Sequence, residues 1–108
     1  MTGWWSLGGI AVERHAWKGW AGAYILADTP GVPRYVGRSD RDVQSRLLQH
    51  VDAGDYRFFY VEHDRTAVDA FLRECGWYHY YRNQLSNKIH PAIPRGCGSG
   101  CPRCSYGH

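Results

Sequence analysis

The chain has 108 residues and a formal net charge of +3, the size of one domain, which leaves no room for a catalytic module with a separate recognition domain. No stretch approaches the ~18 apolar residues of a membrane span, and the start lacks the basic-then-apolar pattern of an export signal, so a soluble, cytoplasmic protein is expected. Of the 13 basic residues all but Lys18 and Lys88 are arginine, a bias that favours bidentate phosphate contacts and leans toward nucleic acid.

Residues 1–20 form a Trp-rich arm (Trp4, Trp5, Trp17, Trp20) with neither helical nor strand periodicity. It could serve as core, as interface or as a stacking surface for bases. Ala23 to Leu26 are strand formers, residues 28–33 supply turn chemistry around Pro30-Gly31, and Arg34 to Gly37 return as a second strand. Ser39 stands three before Asp42 as a capping-box variant, and Val43, Leu47 and Val51 recur every four residues, which predicts a helix over 40–52. Tyr56 to Val61 reads as a strand inside the sheet. Asp64 can cap a second helix running to Tyr81 with Val68, Phe71, Leu72, Cys75 and Tyr78 or His79 turned inward. The expected fold is α+β: a β-β-α-β-α domain over 21–92, with a three-stranded antiparallel sheet flanked by helices, followed by a cysteine-rich, zinc-knuckle-like tail over 93–108.

Two phenols (Tyr24, Tyr35), a guanidinium (Arg46) and an imidazole (His50) fall close together in this order. Arg46 and His50 lie four apart and so share one helical face, beside the apolar stripe. Tyr24 and Tyr35 reach one face of the sheet only if the hairpin register pairs them directly or in even steps. A turn centred between Thr29 and Pro30 would set them opposite each other.

Gly22-Ala23-Tyr24, then Tyr35-Val36-Gly37, then Arg46 and His50, Glu74 and Asn87 resemble, in order and over roughly residues 21 to 90, the GIY-YIG endonuclease family. The resemblance implies a divalent-metal-dependent endonuclease that hydrolyses DNA to 5′-phosphate and 3′-hydroxyl ends, with RNA left open as a substrate. It implies Glu74 as ligand of Mg²⁺ or Mn²⁺, hard ions that accept one carboxylate and complete their shell with water and phosphate. Tyr24 would act as general base, its ionised form favoured by His50 and Arg46, and Tyr35 would hold the water. Arg46 would stabilise the phosphorane and Asn87 would position the phosphate. Arg34, Arg38, Arg41 and Lys88 flank these elements and could follow the nucleic-acid backbone. Asp40 and Asp42 read as capping charges, and His63 and His90 as weaker site candidates or surface positions.

Cys101-Pro102-Arg103-Cys104 suits the presentation of two thiolates to Zn²⁺. The local completion is Cys97 with His108. The tertiary one is Cys75 with His79, four apart on the second helix, and similarity to nucleases that pair Glu-Cys-x-x-Tyr-His with a terminal C-P-x-C favours it. Such a zinc would be structural. The alternative from another class is a zinc-containing nucleic-acid-binding module without nuclease activity. A homodimer, or a partner that delivers the substrate, is a further expectation for a body this small.

Overall fold

The computed structural model describes residues 3–86, 90–95, 100–104 and 106. In chain order the elements are β1 (Trp5–Ser6), α1 (Gly9–His15), β2 (Ala21–Ala27), β3 (Tyr35–Ser39), α2 (Val43–Ala53), β4 (Phe58–Asp64) and α3 (Ala67–Tyr81). The strands form one antiparallel sheet in the order β1-β4-β2-β3. Among the described residues it therefore has four strands rather than the three expected. The extra one is the pairing of Trp5 and Ser6 with Phe59 and Phe58, too short to leave any period in the sequence. Among the described residues no helix is long and apolar enough to cross a membrane.

Local chemistry sets the element ends. In Thr29-Pro30-Gly31-Val32 the Val32 N–H donates to the Thr29 carbonyl at 3.1 Å, and Gly31 takes φ +86°, the left-handed position after proline in a type II turn. Asp42, not Ser39, caps α2, its carboxylate accepting from the Ser45 N–H at 3.2 Å. Ser39 Oγ instead accepts from the Asp42 N–H at 2.9 Å, one step earlier. Thr66 caps α3 through the Asp69 N–H at 3.1 Å. Asp64, expected there, ends β4 and holds the Arg73 guanidinium at 3.0 and 3.1 Å.

Side-chain alternation along β2 divides the core. Tyr24 and Leu26 join Val12, Ala16, Val43, Leu47 and Phe59 under α1 and α2, which makes the Trp-rich segment part of the packed body. Ile25 and, from β3, Val36 meet Tyr78 and Leu85 on the α3 side. The buried stripe of α3 is Ala70, Phe71, Glu74, Cys75 and Tyr78, whereas Val68 and Leu72, expected inward, are exposed. Glu74 thus points into the fold from a stripe otherwise made of apolar side chains and a phenol.

Candidate active site

The hairpin turn falls one residue later than a direct Tyr24–Tyr35 pairing requires. Tyr24 lies opposite Gly37, and Tyr35 lies opposite Leu26. Because Tyr24 and Leu26 are two apart on one strand, both phenols still share the α2 side of the sheet. Gly37 is needed for this: a Cβ there would come within 2.5 Å of Tyr24 Cζ and Oη. Gly22 has a similar reason, since its Cβ would meet the Glu62 carbonyl of β4 at 2.6 Å.

From α2, His50 comes beneath both rings, with centroids 5.3 Å from Tyr24 and 5.4 Å from Tyr35. His50 Nε2 lies 2.8 Å from the Tyr24 hydroxyl. Burial, and then the positive charge of Arg46, lowers the pKa of His50, which keeps the imidazole neutral at pH 7. Burial raises the Tyr24 phenol well above its ordinary value, with Tyr35 adding to the effect and Arg46 only partly opposing it. The expected bias toward a Tyr24 phenolate is therefore reversed, because desolvation outweighs the Arg46 charge. The phenol rests protonated against a neutral imidazole. Burial, and then Glu74, likewise raises the pKa of Tyr35.

Glu74 approaches from the opposite face. β3 is an edge strand, and at Gly37 it offers no side chain, so groups from the two faces of the sheet meet around its edge. Tyr24, Tyr35, Gly37, Arg38, Asp40, Arg46, Glu74 and Ala92 line one cleft of about 250 Å³. Arg38 was expected on the nucleic-acid surface, but alternation turns it toward α3. Its Nη1 donates to Glu74 Oε1 at 2.9 Å and its Nε to Asp40 Oδ1 at 2.7 Å. Burial pushes the Glu74 carboxyl above the usual range, partly offset by Arg38. Arg34 and Arg41 are exposed and Arg46 is exposed within the cleft lining. Asn87 and Lys88, as well as Cys97 and His108 of the alternative zinc set, lie outside the described residues.

A second constellation stands behind α3. One ligand atom each from His79, His90, Cys101 and Cys104 lies within 4.8 Å of all the others, close enough to hold a metal ion. His79 Nε2 and His90 Nε2 are 3.2 Å apart, Cys101 Sγ is 3.5 Å from His79 Nε2, and Cys104 Sγ is 3.5 Å from His90 Nε2. His90 takes the place expected for Cys75. Cys75 sits deeper, in an apolar cluster with Phe71 and Cys101, where burial and then a hydrogen bond with Cys101 push its thiol up to about 12. Around Cys101 burial acts upward too, but hydrogen bonds from the Arg103 N–H and from His90 and His79 bring that thiol down to about 6. The signal available for His90 was its residue type alone, since the chain reversal after α3 that carries it back to His79 leaves no periodicity.

No family model, no curated protein and no solved structure matches the chain.

Proposed function

We propose that the chain is a divalent-metal-dependent endonuclease of the GIY-YIG type that hydrolyses DNA phosphodiester bonds. The observation that carries this reading is the single cleft lined by both tyrosines, Arg46 and Glu74, with His50 hydrogen-bonded to Tyr24 at its base.

The donor set fits a hard ion. Glu74 gives one oxygen to Arg38 and keeps the other for a ligand, as suits Mg²⁺ or Mn²⁺ with a shell otherwise filled by water and phosphate. When bound, the ion supplies charge stabilisation for the leaving 3′ oxygen. The chain's own groups move the proton. Tyr24 Oη takes a proton from the attacking water while its own passes to His50 Nε2, so the neutral imidazole is the final acceptor and no free phenolate has to exist beforehand. Attack forms the bond between the water oxygen and phosphorus as the P–O3′ bond breaks, leaving a 5′ phosphate and a 3′ oxyanion that takes a proton from solvent to become the 3′ hydroxyl. Arg46 faces the charge that develops on the phosphoryl oxygens, Tyr35 orients the water, and Arg38 fixes Glu74.

The His/Cys cluster would hold a structural Zn²⁺. A tetrahedral zinc with bonds of about 2.0–2.1 Å to nitrogen and about 2.3 Å to sulfur has N···N edges near 3.3 Å and N···S edges near 3.6 Å. The observed 3.2 and 3.5 Å separations match these edges. The ion would fasten Cys101 and Cys104 of the tail to His79 of α3.

The decisive experiment is nicking of supercoiled plasmid by the purified protein with Mg²⁺ or Mn²⁺, compared with folded Tyr24→Phe and Glu74→Gln variants. Metal-dependent nicking that disappears in both supports the reading. DNA binding with no nicking in any of the three would instead favour a zinc-containing binding module.

A further inference from the structure

At the end of the sheet that carries Ser39 and Asp64, two tryptophans remain partly in solvent: Trp17 is 53 % exposed and Trp20 is 40 % exposed. They are not loose. One face of Trp17 stacks on His63 of β4, with centroids 4.1 Å apart and planes 9° from parallel, and the Trp17 backbone N–H donates to His63 Nε2 at 2.9 Å. Trp20 meets Trp17 edge to face at 5.2 Å, and its carbonyl accepts the Val43 N–H at 2.8 Å, which pins it to the first turn of α2. The outcome is a rigid indole pair with aromatic surface still open.

The charges beside this pair are one-sided. The nearby carboxylates are already engaged: Asp64 by Arg73, Asp40 by Arg38, Asp42 by the α2 N-terminus, and Glu62 by the Tyr60 hydroxyl. Lys18, Arg41 and Arg65 are exposed and have no ion-pair partner among the described residues. An open indole surface edged by uncompensated cations suits a ligand with flat apolar faces and a polyanionic backbone, which describes unpaired nucleotides. Trp20 precedes Tyr24 by four residues, about 13 Å along β2, or about four stacked nucleotides at ~3.4 Å each. One strand can therefore span from the cleft to the platform.

We infer that Trp17 and Trp20 form a stacking platform for an unpaired strand adjoining the scissile phosphate, so that the substrate is DNA with a single-stranded branch, flap or overhang rather than continuous duplex. This inference rests on the nuclease reading and deepens it. Stacking needs no particular base sequence.

Binding measurements in magnesium-free buffer without chelator test the platform apart from the chemistry. The probes are a labelled blunt duplex and the same duplex with an oligothymidine tail. The wild-type protein is expected to bind the tailed probe about tenfold more tightly, as for one or two stacked bases. Trp17→Ala combined with Trp20→Ala should keep the blunt-duplex affinity and lose the preference, whereas Trp17→Phe should retain most of it. Quenching of wild-type tryptophan fluorescence by the tailed probe and not by the blunt one reads the same contact without any substitution. Equal affinity of the wild-type protein for both probes, or an unchanged preference in the double variant, overturns the platform and leaves the nuclease reading standing. Failure to bind either probe overturns both.

Discussion

The contact between Tyr24 and Gly37 can be tested by adding one methyl group. In Gly37→Ala the new Cβ would lie 2.5 Å from Tyr24 Cζ and Oη and 2.8 Å from Cε2. Tyr24 is only 2 % exposed and its hydroxyl is held by His50, so the ring cannot swing away without disturbing the core under α2. Overpacking of this kind costs about 2 kcal/mol, which for a domain of this size lowers the melting temperature by about 10 °C. The same methyl group should be harmless once the ring is gone. In a Tyr24→Leu background Gly37→Ala is expected to cost less than ~0.5 kcal/mol, or to stabilise slightly by narrowing the unfolded ensemble, giving a coupling of about 2 kcal/mol between the two sites. Urea denaturation of the four proteins measures it. Nicking by Gly37→Ala should fall on the order of 10²-fold, because the phenol is displaced from its place beside His50 and the cleft. An equal cost of Gly37→Ala in both backgrounds would show that the ring does not lie over the glycine, and the geometry argued for the cleft would fail with it.

The remaining expectations address the charges and the tail. Burial raises the pKa of Glu74, so the folded state holds that proton more tightly than the unfolded chain, and ionising it at neutral pH costs stability. Glu74→Gln should accordingly melt at the same temperature as the parent or higher at pH 7, with nicking abolished; a large drop in melting temperature would contradict this. His50 must be neutral to receive the Tyr24 proton, and its pKa is depressed by burial and Arg46. The acid limb of the pH–rate profile should therefore have its midpoint below ~6.5, and a midpoint above 7 would remove His50 from the relay. Because the unfolded chain takes up that proton first, the same residue lowers stability as pH falls through ~6.5, an effect absent in His50→Asn. Metal analysis should find about one zinc per chain in the parent and in Cys75→Ala and little in His90→Ala; loss of zinc in Cys75→Ala with retention in His90→Ala would restore the set expected from sequence.

Much of the scaffold is legible residue by residue. Pro30-Gly31 specifies a turn because proline presets one backbone angle and glycine permits the next. The four-residue recurrence of Val43, Leu47 and Val51 defines a helix, and the same spacing puts Arg46 and His50 on one side of it. What was misplaced by a step, such as the caps at Asp42 and Thr66 in place of Ser39 and Asp64, reflects competition among neighbouring short polar side chains able to accept the same backbone N–H groups. Arg73 decided one of these by holding Asp64 in the strand.

The site itself divides along the same line. From residue order and period come the hairpin, the helix after it, and the candidacy of Tyr24, Tyr35, Arg46 and His50, because turns, caps and amphipathic faces are set by groups within a few residues of one another; Glu74 became a candidate only through the resemblance to the GIY-YIG family. Tertiary structure decided that Tyr24 stands opposite Gly37, that Glu74 reaches the phenols around an edge strand, that Arg38 grips Glu74 instead of facing solvent, and that His90 joins His79 while Cys75 stays in the core. Those groups lie from 11 to 50 positions apart, His79 with His90 at one extreme and Tyr24 with Glu74 at the other, and whether they meet depends on strand register and on how the chain reverses after α3, which no local pattern encodes.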